Sequence, residues 1–277
     1  MQYNWDANGN LTDDGVFTYS YDSANHFLSA TNGSSTSSYG YTGLGDRITQ
    51  TVNGATTNYT LDIAAGLTQV LSDSTRLYLY GPSTGSGHAG RIAQHSVTGT
   101  DYFLGDALGS VRQLADGRGE VTLARSYAPY GEVMSSSGEG TTSYDFAGET
   151  RDYTGLIYLR ARYISTAQGR FLSRDTWPPD HRQPMSLNAW LYAYANPVMY
   201  TDPTGNVTRD YCESISDPTA RQACIQYGVT VEPSLPNACS VLMTATYQSS
   251  PNKEAHAALM ANCTKCQSTL QPDSHWR

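Results

Sequence analysis

The chain has 277 residues, a formal net charge of −8 and only 15% charged residues. That length allows one large or two modest domains, and the acidic balance argues against a nucleic-acid partner, which normally needs a basic face. No run of about 18 apolar residues predicts a membrane span, and residues 1–15 lack the basic start and apolar core of a signal peptide.

Tyr supplies 21 residues against 5 Phe, and Gly supplies 25. Tyr and Thr suit pleated, half-buried surfaces and Gly punctuates turns, so the chain is expected to be mainly β. Met1 is followed at once by Tyr3-Asn4-Trp5-Asp6-Ala7-Asn8-Gly9-Asn10, a repeat-like opening that suggests the tail end of a longer polypeptide. Related segments begin at Tyr19-Ser20-Tyr21-Asp22, Tyr39-Gly40-Tyr41-Thr42 and Tyr127-Ala128-Pro129-Tyr130. The common form is an aromatic residue, one spacer, Tyr, an Asp-like residue, a short Gly/Asn turn and an apolar residue. Each unit reads as strand, tight turn and return strand. Tyr19 and Tyr21 alternate with Ser20, which places both rings on one face. Asp22 to Asn25 are residues that bond their own backbone or tolerate left-handed geometry.

Residues 47–61 form the clearest hairpin. Ile48, Gln50 and Val52 alternate toward the Asn53-Gly54 turn, and Thr56 to Leu61 return. Further strands are expected at 75–82, 91–97, 110–114 and 120–127, with Asp116-Gly117 as a turn. Residues 81–90 and 135–142 are low-complexity loops. Such an array suits a long, curling sheet as well as a sandwich. Along 156–163, strand alternation puts Arg160 and Arg162 on one face and Leu159 and Tyr163 on the other. Arg160, Arg162 and Arg170 then have two readings: a surface for a carboxylate or a guest tail, or guanidinium planes stacked on tyrosines.

All five cysteines (Cys212, Cys224, Cys239, Cys263 and Cys266) lie after residue 206, a composition break that predicts a domain boundary. Asp217-Pro218 to Gly228 carries helix start and stop signals. Residues 236–247 and 251–267 also read as helices. Disulfides within a small helical domain, a Cys239/His256/Cys263/Cys266 zinc site and free thiols are the alternatives for the cysteines, and a fifth cysteine leaves one thiol over. No cofactor is implied.

Six motifs then occur in order. They are Gly105-Asp106-Ala107-Leu108-Gly109-Ser110-Val111-Arg112, Tyr127 to Glu132, Thr154 to Tyr163, Gly169 to Asp175, Leu187 to Pro197, and Asp202-Pro203-Thr204-Gly205. With the repeats before them, they resemble the YD-repeat proteins of the RHS type and their repeat-associated core. The resemblance covers residues 1–205. It implies a mainly β fold: a curling antiparallel YD-repeat sheet, a partial RHS shell closed by the core plug, then a small α-helical Cys-containing tail. The implied divisions are 1–102 (repeat strands), 103–205 (core domain) and 206–277 (variable C-terminal helical domain).

The function so implied is structural, a shell and core that encapsulates or presents a C-terminal effector-like domain for secretion or cell contact. The implied partners are upstream RHS repeats, the chain's own C-terminal domain inside the shell, and an immunity protein for the tail. The implied location is secreted or cell-surface. The alternative function is enzymatic. In the family, the Asp after Gly-Arg-Phe and the Asp of Asp-Pro-x-Gly look like an aspartyl-protease pair that cuts just after this motif. Here those are Asp175 and Asp202, and the cut falls near Gly205-Asn206. Arg174 is placed to hold a carboxylate ionised, and Asp180 is an alternative partner. The competing reading makes both aspartates turn residues. Thr176 stands where the family has Pro, and the Asp175–Asp202 interval has extra residues around Trp177 to His181. Asn206 stands where Leu is usual, and a polar amide in an apolar pocket leaves groups unpaired. A third reading is a cell-surface glycan-binding module built on the tyrosine ladder.

Overall fold

The computed structural model describes residues 2–64, 67–81, 90–177, 179 and 184–206. Most of the expected loop at 81–90, Asp180, and the tail with its cysteines and expected helices lie outside the described residues.

The turns explain the repeat. Asp22 Oδ1 accepts the N–H groups of Ala24 and His26, both at 2.8 Å, while Asn25 takes a left-handed φ of 65°. The same five-residue turn recurs at Asp6–Asn10, Asp106–Ser110 and Asp116–Glu120, with Gly9, Gly109 and Gly119 in the left-handed position. At Thr42–Asp46 a hydroxyl replaces the carboxylate. An acceptor at the first position and Gly or Asn at the fourth are what this geometry requires.

Three antiparallel sheets result. The first contains β1 (Asn4–Trp5), β2 (Leu11–Asp13), β3 (Thr18–Tyr21), β4 (Phe27–Asn32), β5 (Ser35–Tyr41), β6 (Arg47–Val52) and β7 (Ala55–Asn58). The second contains β8 (Thr60–Asp62), β9 (Gln69–Ser72), β10 (Leu77–Tyr80), β11 (Arg91–Ser96), β12 (Gly99–Gly105), β13 (Val111–Asp116), β14 (Val121–Tyr127) and β15 (Val133–Ser137). The third is small: β16 (Thr150–Arg151), β17 (Ile157–Leu159), β18 (Arg162–Ser165) and β19 (Arg170–Phe171). Among the described residues every sheet is a meander in chain order, and neither large sheet closes on itself. The expected division at 102/103 falls inside β12. No helix among the described residues is long and apolar enough to cross a membrane, which leaves open what strands do.

Asn53 and Gly54 take left-handed φ values of 49° and 87°, as a two-residue hairpin turn demands. The return strand is shorter than its pattern suggested. It ends at Asn58, because the Tyr59 ring turns toward the Arg47 guanidinium and the chain then leaves for the second sheet.

The preference for Tyr over Phe also has a physical cause. The hydroxyls of Tyr21, Tyr41, Tyr80 and Tyr127 donate to the carbonyls of Leu11, Phe27, Val70 and Val111. Each ring thus packs like Phe while its tip satisfies a backbone acceptor. Tyr19, Tyr39, Tyr78, Tyr144, Tyr163 and Tyr192 are buried. These rings pack against one another or against phenylalanines, as cross-strand pairs do, rather than offering a face to sugars.

The third sheet is the plug. Leu156, Tyr163 and Leu172 pack with Leu11, Tyr19, Phe27 and Tyr39 of the first sheet. Tyr144, just before the plug, packs with Tyr78, Val111, Leu114 and Leu123 of the second. Arg47 ties the first sheet to the plug. Its Nη1 donates to both Asp152 oxygens at 2.9 and 2.7 Å and to the Tyr163 hydroxyl, and its guanidinium lies 4.1 Å from the Tyr158 ring centre.

One expectation is corrected here. Arg160 and Arg162 do not share a continuous strand face. Arg160 is in a turn between β17 and β18, with φ 57°, and Leu159 pairs with Arg162 across it. The turn is held because Arg160 donates to Glu149, to the Pro203 carbonyl and to the Thr68 carbonyl.

Candidate active site

The Arg160-Ala161 turn is the platform of the site. Asp202-Pro203-Thr204-Gly205 docks on it as a β-turn, closed by the Gly205 N–H donating to the Asp202 carbonyl at 3.2 Å. Asp at the first position, Pro at the second and Gly at the fourth are the residues such a turn favours. Unlike most turns, this one is buried along its length. The Ala161 N–H donates to the Thr204 carbonyl at 3.2 Å.

Arg162 opens β18 directly beneath. Its Nη2 lies 2.7 Å from Asp175 Oδ2 and 3.6 Å from Asp202 Oδ2, so both expected aspartates converge on one nitrogen. Its Nε donates to the Gly205 carbonyl, and its Nη1 donates to the Ala189 carbonyl. The guanidinium carbon sits 3.6 Å from the centre of the Phe171 ring. Asp175 follows β19 and is fixed by its own N–H, which donates to Ala189, and by the Trp177 N–H, which donates to Asp175 Oδ1.

Phe171 and Tyr192 are fully buried and pack edge to face, with the Phe171 ring under the Arg162 guanidinium. Burial pushes the Asp175 carboxyl up to about 6, with Asp202 adding to it and with Arg162 and the Trp177 N–H opposing it. Burial pulls the Arg162 guanidinium down, and the two carboxylates oppose that. We read it as charged, since guanidinium holds its proton far above neutrality and here faces two acids. Burial first, and Asp202 second, push the Tyr192 hydroxyl up.

Arg174 is exposed, with its side chain against Gly9. The cation between the two aspartates is therefore Arg162, the first residue after the turn, and not the neighbour in sequence. The one available signal was chemical, that a buried acid and a half-buried one side by side call for a cation between them. Asn206 lies at the mouth, where its N–H donates to Thr204 Oγ1 at 3.1 Å. A cavity of about 300 Å3 opens beside it, lined by Asn25, His26, Asp46, Arg174 and Thr176 among others. Its lining is mixed, since Leu44 and Leu67 lie beside those polar groups.

The Teneurin YD-shell family matches residues 1–198, a stretch that includes Arg162 and Asp175 and stops before Asp202. The tRNA3(Ser)-specific nuclease WapA of Bacillus spizizenii is 32% identical over 214 residues, 73% of this chain and 9% of that protein. The crystal structure of TcdB2-TccC3-TEV superposes with a TM-score of 0.58 at 21% identity, over 73% of this chain and 11% of that one. The structure of TcdB2-TccC3 without its hypervariable C-terminal region gives 0.56 at 21% identity, again over 73% and 11%. This chain spans roughly a tenth of the length of the proteins it matches.

Proposed function

The chain belongs to the Teneurin YD-shell family, and on that premise we propose that it closes a shell which carries the segment beyond residue 206 and severs it between Gly205 and Asn206. As a YD-shell module its base function is structural. The encapsulated guest, its release, an immunity protein for it and a secreted or cell-surface location are further parts of the reading. The composition break at 206 supports a separate C-terminal unit, and the hypervariable C-terminal region of TccC3 is a parallel.

One observation carries the cleavage. Arg162 gathers Asp175, Asp202 and the carbonyl oxygen of Gly205 around a single guanidinium. A water on the Gly205 carbonyl carbon needs a base, the departing amide nitrogen needs an acid, and the developing oxyanion needs a fixed donor. Asp175 has a proton that leaves near neutrality and is the base. Asp202 is the acid, and Arg162 Nε is the donor. A turn-only role for both aspartates does not account for their convergence on Arg162.

The test is the denatured intact mass of the purified chain beside Asp175→Asn and Asp202→Asn. We expect two pieces divided after Gly205 in wild type and a single uncut chain in both variants. An intact wild type sinks the cleavage and leaves the shell standing.

A further inference from the structure

Between Asp202 and the bond it is proposed to break stands one hydroxyl. Thr204 Oγ1 donates to Asp202 Oδ1 at 3.2 Å, within a buried turn. The same oxygen accepts the Asn206 N–H at 3.1 Å. Asn206 N is the leaving nitrogen of the Gly205–Asn206 bond. No direct contact of Asp202 with that nitrogen is needed, because the turn that presents the scissile carbonyl also bends the Thr204 side chain back over it.

Resting on the self-cleavage reading, we propose that Thr204 is a catalytic proton carrier, passing a proton from the Asp202 carboxyl to the Asn206 nitrogen as the peptide bond breaks. The protons balance. Water adds its oxygen to the Gly205 carbonyl carbon and gives one proton to Asp175. The tetrahedral oxyanion is held by Arg162 Nε. As the amide nitrogen becomes pyramidal, its lone pair faces the hydroxyl that its hydrogen faced before. The C–N bond electrons pass to nitrogen, nitrogen takes the Thr204 proton, and Thr204 recovers one from Asp202. The products are the Gly205 carboxyl group and the Asn206 amine. The net transfer from Asp202 to Asp175 is reversed by exchange with solvent. A hydroxyl suits this position because it donates and accepts at once.

The bland alternative is a hydroxyl that merely caps its turn, bonding the N–H two residues ahead. Full-length wild type, Thr204→Ser and Thr204→Val, each collected unfolded and uncut from inclusion bodies in denaturant and then refolded side by side, separate the two. Refolding starts the clock, intact mass follows the pieces, and near-ultraviolet circular dichroism checks that each chain folds. We expect Thr204→Ser to cleave within a few fold of wild type and Thr204→Val to fall by about a hundredfold or more, the scale of a lost acid–base group. The solvent deuterium isotope effect should persist in Ser and change in Val, which a capping role does not produce. A folded Thr204→Val that cleaves at the wild-type rate overturns the relay and leaves the protease. A wild type that never cleaves removes both.

Discussion

At position 205 a side chain has no room. Gly205 has φ 76°, and a Cβ built there collides with the Leu159 carbonyl oxygen and comes within 2.9 Å of the Arg162 nitrogen. The bond proposed for cleavage is thus held against the platform by a residue that only glycine can be. Asp175 makes two opposite pH predictions at this scale. Its folded value of about 6 lies above the roughly 3.9 of an unfolded aspartate, so the native chain holds this proton more firmly. The stability it contributes is complete below about pH 4 and is lost as the pH rises through about 6. Wild-type Tm should therefore fall across that window, and Asp175→Asn should flatten the fall. Cleavage should run the other way, since the base must be ionised, and its rate should climb through about pH 6 in a refolding time course.

At the scale of the element, single side chains connect sheets. Asp152 begins a turn of the same five-residue outline as Asp22, with the Gly155 N–H donating to its carbonyl, yet its carboxylate is diverted to Arg47. Burial pushes the Asp152 carboxyl up while Arg47 opposes it, and the short contacts to both oxygens keep the pair ionised. Asp152→Asn leaves a buried guanidinium without its counter-charge and should cost roughly 3–5 kcal/mol in urea unfolding. Replacing both partners, Arg47→Met with Asp152→Leu, should cost clearly less than the single change, because no uncompensated charge remains. A double variant as unstable as the single one would show that Arg47 acts through its tyrosine stack instead.

For the whole molecule, the long-range ties join the start of the chain to the plug. Trp190 Nε1 donates to the Gly9 carbonyl at 2.9 Å, and its ring meets Trp5 edge-on at 5.7 Å. Gly9 itself is pressed to the Trp190 ring, where a Cβ would come within 2.9 Å. Trp190→Ala should lower stability by on the order of 1–3 kcal/mol. Hydrogen exchange should localise the loss, faster for residues 4–13 and unchanged in β11–β14. Uniform acceleration would mean that the first repeat and the second sheet unfold as one unit.

What is local could be read from the order of residues alone. The Asp-to-Gly/Asn turns, the Asn53-Gly54 hairpin, the alternating tyrosines and the order of the six motifs are written within a few residues of one another, and so the mainly β, repeat-built class was legible. Asp175 and Asp202 were legible as candidates, through the motifs that contain them. Only the tertiary structure decided which cation they share. In the sequence Arg174 is the neighbour of Asp175 and Arg160 and Arg162 look alike, but a turn between β17 and β18 separates those two. It sends Arg160 to Glu149 and Pro203 and Arg162 to the aspartates, and it leaves Arg174 at the surface. Thr204 was hidden for the same reason. A threonine in a turn is unremarkable until the fold buries the turn and sets its hydroxyl between a carboxyl and the nitrogen of the next peptide bond. Short-range backbone preferences are encoded residue by residue. The meeting of distant charges depends on which surfaces must exclude water together, and that is a property of the folded chain.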